Sequence, residues 1–241
     1  MAYEIIKVND AQLPRISAKN DKFRFTGEVI INAEGKKLYR IVAIKDFGGV
    51  KKGTLGGFIE NEDNLDFKSD AWVGDYAQVS GKARVSGHAR LYGHAQASEK
   101  ARISGHARLY GHARATGKAR ILEDAEVFDY TWVSGKAHIS GHALLYGNSV
   151  VYENALVSGR ATISDNAIVS GHAVVIDEAW VSGNAHVSGS AWICGNVRIG
   201  GDLSISSGML DVHDGVFMTQ SQLDEYLKYH RHRMLKGLAR R

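Results

Sequence analysis

The chain has very little cysteine and proline. Its 241 residues contain a single cysteine, Cys194, which excludes an intramolecular disulfide, and only 1 proline. Glycine, in contrast, is abundant at 27 residues. Many glycines with almost no proline indicate a regular backbone with tight, glycine-dependent turns and argue against a disordered linker.

Long hydrophobic runs are missing as well. The first residues, Met-Ala-Tyr-Glu-Ile-Ile-Lys, lack the apolar stretch of a signal peptide. No segment approaches the roughly 20 apolar residues of a membrane-spanning helix. We therefore expect a soluble, cytoplasmic protein that does not contact a membrane.

A six-residue repeat runs from Ala71 to Asp202. Stepping by six from Ala71 to Val197 meets alanine at 19 of 22 positions. Two residues further on, a second column is Val, Ile or Leu at 20 of 22 positions. Two residues after this aliphatic column stands a third column, which is Gly or else Asp or Glu. The unit therefore reads Ala-x-Val-Ser-Gly-x.

This unit predicts a short strand followed by a corner. Ala-x-Val alternates inward, outward and inward, as a β-strand does. Glycine tolerates the positive φ that a sharp corner requires. An α-helix cannot keep a strict six-residue apolar period on one face, because its own period is 3.6 residues.

Similar side chains also recur every 18 residues, which predicts that three strands close one triangular coil. Residues 18 apart would then lie directly above one another, and the 132 repeat residues would form about seven coils of a parallel β-helix. The series are Lys82, Lys100, Lys118 and Lys136; Tyr92, Tyr110, Phe128 and Tyr146; and Arg84, Arg102 and Arg120.

The hexapeptide unit, with an aliphatic residue followed four positions later by a small one as in Val79 and Ala83, resembles the left-handed β-helix of the LpxA-like superfamily. The segment from Ile41 to Phe58 is similar to the one that leads into the repeats in its YdcK-like branch, which comprises bacterial and phage proteins. The resemblance covers roughly Leu38 to Asp202. It implies left-handed coiling and a bacterial or phage origin, and it brings no catalytic residues with it.

Both ends of the repeat require caps, since open end coils would expose apolar core and unpaired edges. We expect an all-β chain in three parts: residues 1–64 form a β cap with strands at Phe23–Ile31 and Lys37–Ile44, residues 65–208 form the β-helix, and residues 209–241 carry a helix from Thr219 to Leu238. The helix starts at Ser221 with Asp224 or at Thr219 with Gln222, and it acts as a lid on the last coil or as an arm that binds a partner. Its apolar face would hold Leu223, Tyr226, Leu227, His230, Met234 and Leu238, and its basic residues are Lys228, Arg231, Arg233, Lys236, Arg240 and Arg241.

Charge is distributed unevenly along the repeat. Ala77 to Leu122 holds nine Lys or Arg and one acid, whereas Glu123 to Asp202 holds three basic residues and nine acids. Stacked like charges repel one another, and a bound anion would relieve that repulsion. We therefore predict a site for an acidic protein or a nucleic acid on the basic coils, with tyrosines beside the arginines to stack bases or sugars. Its candidate residues are Arg84, Arg90, Arg102, Arg108, Arg114, Arg120, Tyr92, Tyr110, Lys82, Lys100 and Lys118. The alternative is that these ladders are solvated and serve solubility.

An enzyme is the second hypothesis, because many hexapeptide-repeat proteins are acyltransferases. Those enzymes interrupt the coils with a protruding loop, and here the repeat is unbroken. Some relatives bind zinc through three histidines across a subunit interface, which draws attention to His88, His106 and His142, and to His94 and His112. These histidines occupy a turn position of the template, so we assign no metal ligand, no cofactor and no catalytic residue, Cys194 included.

The leading prediction is thus a non-enzymatic binding or scaffold protein, and the alternative is an acyltransferase-like or metal-dependent enzyme with a site between subunits. We also expect a homo-oligomer, because Trp132, Val150 and Ile168 fall on one outward series that suits packing between subunits.

Overall fold

Residues 18 apart in the sequence pair with each other in a parallel β-solenoid. The computed structural model describes residues 4–238, with the side chains of 213, 214 and 230–238 left aside. Arg102 pairs in parallel register with Arg84 on one side and with Arg120 on the other. The N–H of Arg84 donates to the carbonyl of Ala101 at 2.9 Å, and that of Ser86 to Ile103 at 3.0 Å. The predicted three-sided coil of 18 residues is confirmed.

The solenoid has three faces, and each short strand forms one rung of a face. Face 1 consists of Leu55–Ile59, Gln78–Val79, Gln96–Ala97, Arg114–Ala115, Trp132–Val133, Val150–Val151, Ile168–Val169, His186–Val187 and Ser204–Ile205. Face 2 consists of Arg84–Val85, Arg102–Ile103, Arg120–Ile121, His138–Ile139, Leu156–Val157 and Val174–Val175. Face 3 consists of Trp72–Val73, Arg90–Leu91, Arg108–Leu109, Glu126–Val127, Leu144–Leu145, Thr162–Ile163 and Trp180–Val181. The longer strands Trp192–Ile199 and Met209–Phe217 each turn a corner and complete faces 2 and 3.

The number of coils is about nine, so the expectation of about seven was too low. At the start, Leu55–Ile59 already pairs in parallel with Gln78–Val79, and Leu65 bridges to Val85. At the end, Met209–Phe217 continues the stack on Trp192–Ile199. These end rungs lack the alanine column, which is why the six-residue period does not reveal them. The left-handed coiling that the resemblance implies stays a prediction.

The interior is filled by the two apolar columns. The alanines from Ala71 to Ala191 and the aliphatic residues two positions later are buried. Thr131 and Ser149 replace alanine in two successive coils, and their hydroxyl groups lie 3.3 Å apart in the core. Each buried hydroxyl therefore finds its partner in the other, as a buried polar group requires.

The fifth position of the unit holds a left-handed corner. Glycines there have positive φ, for example +64° at Gly81 and +66° at Gly93. Asp or Glu takes this conformation at seven corners, with φ between +50° and +62°: Asp75, Glu99, Glu123, Asp129, Glu153, Asp165 and Asp177. The carboxylate of Glu153 accepts the N–H of Gly171 in the next coil at 2.6 Å, and that of Asp165 accepts the N–H of Gly183 at 2.9 Å. The same bond joins Asp75 to Gly93, Glu123 to Gly141, Asp129 to Gly147 and Asp177 to Gly195. At six of these seven corners, an acidic residue thus fastens one coil to the next.

The N-terminal cap is an antiparallel extension of face 1. Its strands are β1 (Ile6–Lys7), β2 (Phe23–Ile31), β3 (Lys37–Ala43) and β4 (Leu55–Ile59), the last of which is also the first rung of face 1. Short 3-10 helices lie at Asp10–Gln12 and Glu62–Asn64. The predicted cap strands are confirmed, and the turn between them closes with Gly35 at a φ of +75°.

A buried lysine ties the cap to the first coil. The side chain of Lys22 is almost fully buried, and its Nζ donates to the carbonyls of Asp66 and Ser69, both at 2.8 Å. The same nitrogen lies 4.9 Å from the ring centroid of Phe47. Burial lowers the pKa of Lys22 from its usual 10.5 to about 8, because removing the ammonium group from water disfavours its charged form.

The C-terminal helix α1 (Gln220–Leu238) begins on the last coil. Thr219 precedes it, and its hydroxyl accepts the N–H of Gln222 while Gln222 Oε1 accepts the N–H of Thr219, which is a capping box. Leu223 is buried, and Tyr226 and Leu227 pack against the core, so the first turns of the helix cover the end of the solenoid. The side chains of His230, Arg231, Arg233, Met234, Lys236 and Leu238, and the residues Arg240 and Arg241, lie outside the described part of the chain. Within residues 4–238, no helix combines the length and the apolar character needed to cross a bilayer.

Replacing Glu153 by alanine tests the carboxylate bond between coils. We expect Glu153→Ala to lower the free energy of unfolding by about 1 kcal/mol, because it removes a charge-assisted hydrogen bond but keeps a side chain in the left-handed region. Glu153→Gly should lose less, since glycine has no penalty at positive φ. The measurement is urea denaturation. The control is Glu178→Ala, because Glu178 is an exposed acid of the same half that, within the described residues, accepts no backbone N–H and makes only an exposed ion pair with Arg160 at 3.6 Å. Equal stability of Glu153→Ala and the wild type would contradict the role of Glu153.

The depressed pKa of Lys22 predicts a pH-dependent stability. Between pH about 8 and 10.5 the native Lys22 is neutral while the unfolded lysine is protonated, so unfolding takes up a proton. Raising the pH through this window therefore stabilises the wild type relative to Lys22→Met, which has no titrating group at this position. Denaturation of both proteins from pH 7 to pH 10.5 measures the difference, and parallel profiles would refute it.

Candidate polyanion-binding groove

The six candidate arginines are divided among the three faces. Arg84, Arg102 and Arg120 stand on successive rungs of face 2, where they are exposed. Arg90 and Arg108 belong to face 3, and Arg114 belongs to face 1. The register thus brings three of the six together in one row.

Lysines line the corner between face 1 and face 2. This lysine corner consists of Lys82, Lys100, Lys118 and Lys136. With the arginine row beside it, it lines two adjoining shallow cavities of about 500 and 400 Å³ that share Lys100 and Arg102. We call this surface the cationic groove. Its basic residues are Lys82, Arg84, Lys100, Arg102, Lys118, Arg120, Lys136 and His138, and its lining is completed at the cap end by Asn61, Asp63, Asn64, Gly81 and Ala83.

The positive charges of the groove outnumber the one acid that lines it, Asp63. Within the described residues, no ion pair or side-chain hydrogen bond is formed by its lysines and arginines. Neighbouring rungs are only about 4.8 Å apart, so each guanidinium or ammonium group stands close to another of the same sign. Salt weakens this repulsion, and a bound anion would replace it by attraction.

Arg90 and Arg108 have different surroundings. Arg90 reaches over the cap, where its guanidinium donates to the carbonyl oxygens of Asp70 and Gly48. Arg108 pairs with Glu126, whose carboxylate lies 3.0 Å from Nη1. Both arginines are therefore bonded within the protein and lie outside the groove.

The two candidate tyrosines lie at the corner between face 3 and face 1, away from the groove. The ring of Tyr92 covers Gly74, where any side chain would collide with it. Tyr110 stacks on Phe128 with ring centroids 4.9 Å apart, and its hydroxyl donates to Glu126 at 3.1 Å. Burial, together with the charge of Glu126, raises the pKa of Tyr110 to about 12, so the phenol stays a neutral donor. The predicted placement of tyrosines beside arginines therefore does not hold for the arginine row of face 2.

The histidines form stacks at two corners. The rings of His88 and His106 are parallel at 4.6 Å, with Asp70 3.4 Å from Nδ1 of His88. His94 and His112 stack at 5.0 Å between Tyr76 and Tyr130. Among the residues that the structure describes, no three His, Cys, Asp or Glu side chains converge as metal ligands would. Cys194 is buried, which raises the pKa of its thiol.

Sequence reasoning missed the structural role of the acids at the corners. Five of the nine acids in the acidic half, Glu123, Asp129, Glu153, Asp165 and Asp177, accept a backbone N–H of the next coil. The sequence did contain a signal, because each corner acid is followed by a glycine 18 residues later. Much of the negative charge in that half therefore fastens coils together, while the basic residues of the groove have no such structural role.

Comparison with protein-family models and with curated proteins finds no match to this chain.

Proposed function

We propose that this chain is a non-enzymatic binding protein that holds a polyanionic macromolecule, a nucleic acid, in the cationic groove. The observation that carries the proposal is the double row of cations without an ion pair among the described residues, with arginine on face 2 and lysine on the adjoining corner. A row of three arginines with no partner is costly unless solvent or a ligand screens it, and phosphate groups provide such a ligand.

The geometry of the groove favours one orientation of such a ligand. The rows run along the axis of the solenoid, with one arginine and one lysine at each rung and about 4.8 Å between rungs. A linear polyanion would therefore lie parallel to the axis and meet cations along its length. Since the tyrosines lie at another corner, contact is through backbone phosphates and not through stacked bases, which favours binding that is independent of sequence and sensitive to salt.

A nucleic acid suits this groove better than an acidic protein does. Interfaces between proteins usually contain an apolar or aromatic centre, whereas interfaces with nucleic acids are more polar and far more positively charged. The lining of the groove is polar and charged, and the only hydrophobic side chain among its lining residues is the small Ala83. An acidic protein remains as the competing outcome of the experiment.

The biological setting belongs to the same proposal. The segment from Ile41 to Phe58 and the unbroken hexapeptide solenoid support assignment to the YdcK-like branch of the LpxA-like superfamily, with a left-handed coil, a bacterial or phage origin and a cytoplasmic location.

The matched pair Arg102→Gln and Arg114→Gln tests the groove. Both arginines are exposed, occupy neighbouring coils and have no bonding partner among the described residues, but only Arg102 lies in the groove. We expect Arg102→Gln to weaken binding of a fluorescein-labelled mixed-sequence DNA duplex several-fold, and Arg114→Gln to leave it nearly unchanged. Fluorescence anisotropy measures both dissociation constants.

A salt titration makes the test sharper. In the triple variant Arg84→Gln, Arg102→Gln and Arg120→Gln, the slope of log K against log salt should fall by about 2 to 3, because each phosphate contact contributes about 0.9. If Arg102→Gln and Arg114→Gln lowered the affinity for DNA equally, binding would lie outside the groove. Preference for poly-glutamate over the duplex would overturn the nucleic acid in favour of an acidic protein.

A further inference from the structure

We propose that face 1 binds the same face of a second copy of this chain, with the two solenoids parallel and in register. This inference goes beyond the proposed function and does not depend on it. It begins with the outward side chains at the centre of face 1, which are Trp132, Val150 and Ile168 on three successive rungs. Trp132 is 47% exposed although its indole N–H donates to Thr116 at 3.0 Å, so a large apolar surface is left open to solvent.

Three rungs of face 1 carry opposite charge on their two edges, although the lysine corner also holds Glu99 and Glu153. The corner that precedes the face holds Asp75, Asp129 and Asp165. The corner that follows it is the lysine corner, with Lys82 on the rung of Asp75 and Lys136 on the rung of Asp129; His172 stands opposite Asp165 on the rung of Ile168. Each of these three rungs thus has an acid on one edge and a basic side chain on the other.

This arrangement selects the orientation of the second copy. A twofold axis parallel to the solenoids brings the acidic edge of one copy against the lysine edge of the other at the same rung. Asp129 then faces Lys136 of the second copy while Trp132 meets Trp132, Val150 meets Val150 and Ile168 meets Ile168. An antiparallel pair would place acid against acid and lysine against lysine, which repel each other.

Faces 2 and 3 do not offer the same match. On face 2, a parallel twofold pairing would set three arginines, Arg84, Arg102 and Arg120, against their own copies, whereas on face 1 it sets only Arg114 against itself. Leu156 and Val174 on face 2 are also outward and apolar, but they continue the same row as these three arginines. On face 3, the corner acids Glu123 and Asp124 would meet Asp129, which is also acidic. Face 1 combines an apolar centre with oppositely charged edges at the rungs of Trp132 and Ile168, which is the arrangement of an interface with a polar rim.

The cationic groove stays accessible in such a dimer, because its arginine row lies on face 2. The lysine corner, which includes Lys82 and Lys136, is shared by the groove and the interface rim. Loss of the dimer and loss of polyanion binding are therefore separable: changes on face 1 affect the mass of the particle, and changes on face 2 affect binding.

Sedimentation or light scattering of the full chain tests the interface with two matched tryptophans. Trp132 on face 1 and Trp192 on face 2 are 47% and 44% exposed. We expect the wild type to have twice the mass of the chain, Trp132→Glu to raise the dissociation constant at least tenfold, about 1.4 kcal/mol, and Trp192→Glu to leave it unchanged. Lys136→Glu should weaken the dimer as well, because it sets two acids against each other at the rim.

Cross-linking tests the orientation. On a Cys194→Ser background, single cysteines at Val150→Cys and Ser204→Cys lie three rungs apart on face 1, about 14 Å at 4.8 Å per rung. A short bis-maleimide reagent spans the roughly 10 Å between packed sheets. A parallel dimer in register joins each cysteine to its own copy in both variants, whereas an antiparallel dimer does so in at most one.

Both measurements are decisive in either direction. Dimeric wild type, dissociation by Trp132→Glu alone and cross-links at both positions support the proposal. A monomer or a trimer, equal effects of the two tryptophan variants, or a cross-link at one position only would overturn it.

Discussion

The 18-residue register between coils is the constraint on which the rest of this structure depends. From Trp72 to Ile205, side chains on the strands lie over the residue 18 positions away, and main-chain hydrogen bonds such as that from Arg84 to Ala101 hold them there. A residue is therefore tolerated only if it can sit against its counterpart in the next coil. In the interior this limits one column to alanine, because larger side chains would overpack so narrow a core. At the corners it limits the fifth position to residues that accept positive φ.

The register also stacks like side chains above one another in series. Acidic and basic residues differ in whether they form such series. Aromatic rings stack in pairs such as His94 with His112, and Asn148, Asn166, Asn184 and Asp202 join into a chain of side-chain hydrogen bonds. Carboxylates behave differently: from Ala71 to Asp202 no acid lies 18 residues from another, and each corner acid faces a glycine. Lysine and arginine, in contrast, stack on themselves in three series. On face 3 the stacked Arg90 and Arg108 are bonded within the protein, whereas the stacked cations of the groove have no such partner among the described residues. This difference is the physical reason for placing an anionic ligand in the groove.

Much of the architecture could be predicted from the columns, because a six-residue period with an 18-residue recurrence allows few folds. The end coils could not, since Leu55–Ile59 and Met209–Phe217 join the stack without the alanine that marks a repeat. Among the candidate site residues, the row Arg84, Arg102 and Arg120 follows from spacing alone. The bonding of Arg90 does not, because its partner Gly48 comes from the cap, 42 residues earlier in the chain. The repeat pattern predicts the contacts of a residue with others in its own column. It does not predict contacts with a segment outside the repeat, such as the cap.

Along the solenoid, cations occupy the outward positions of the first coils and apolar side chains those of the later ones. On face 2 the sequence of outward residues passes from Arg84, Arg102 and Arg120 through His138 to Leu156 and Val174. The first group attracts a partner through charge, which salt screens, whereas burial of apolar surface does not weaken when salt is added. The two kinds of surface therefore respond differently to ionic strength. If both proposals hold, high salt would release a polyanion from face 2 while the apolar centre of face 1 keeps two copies together, because the two attachments depend mainly on different forces.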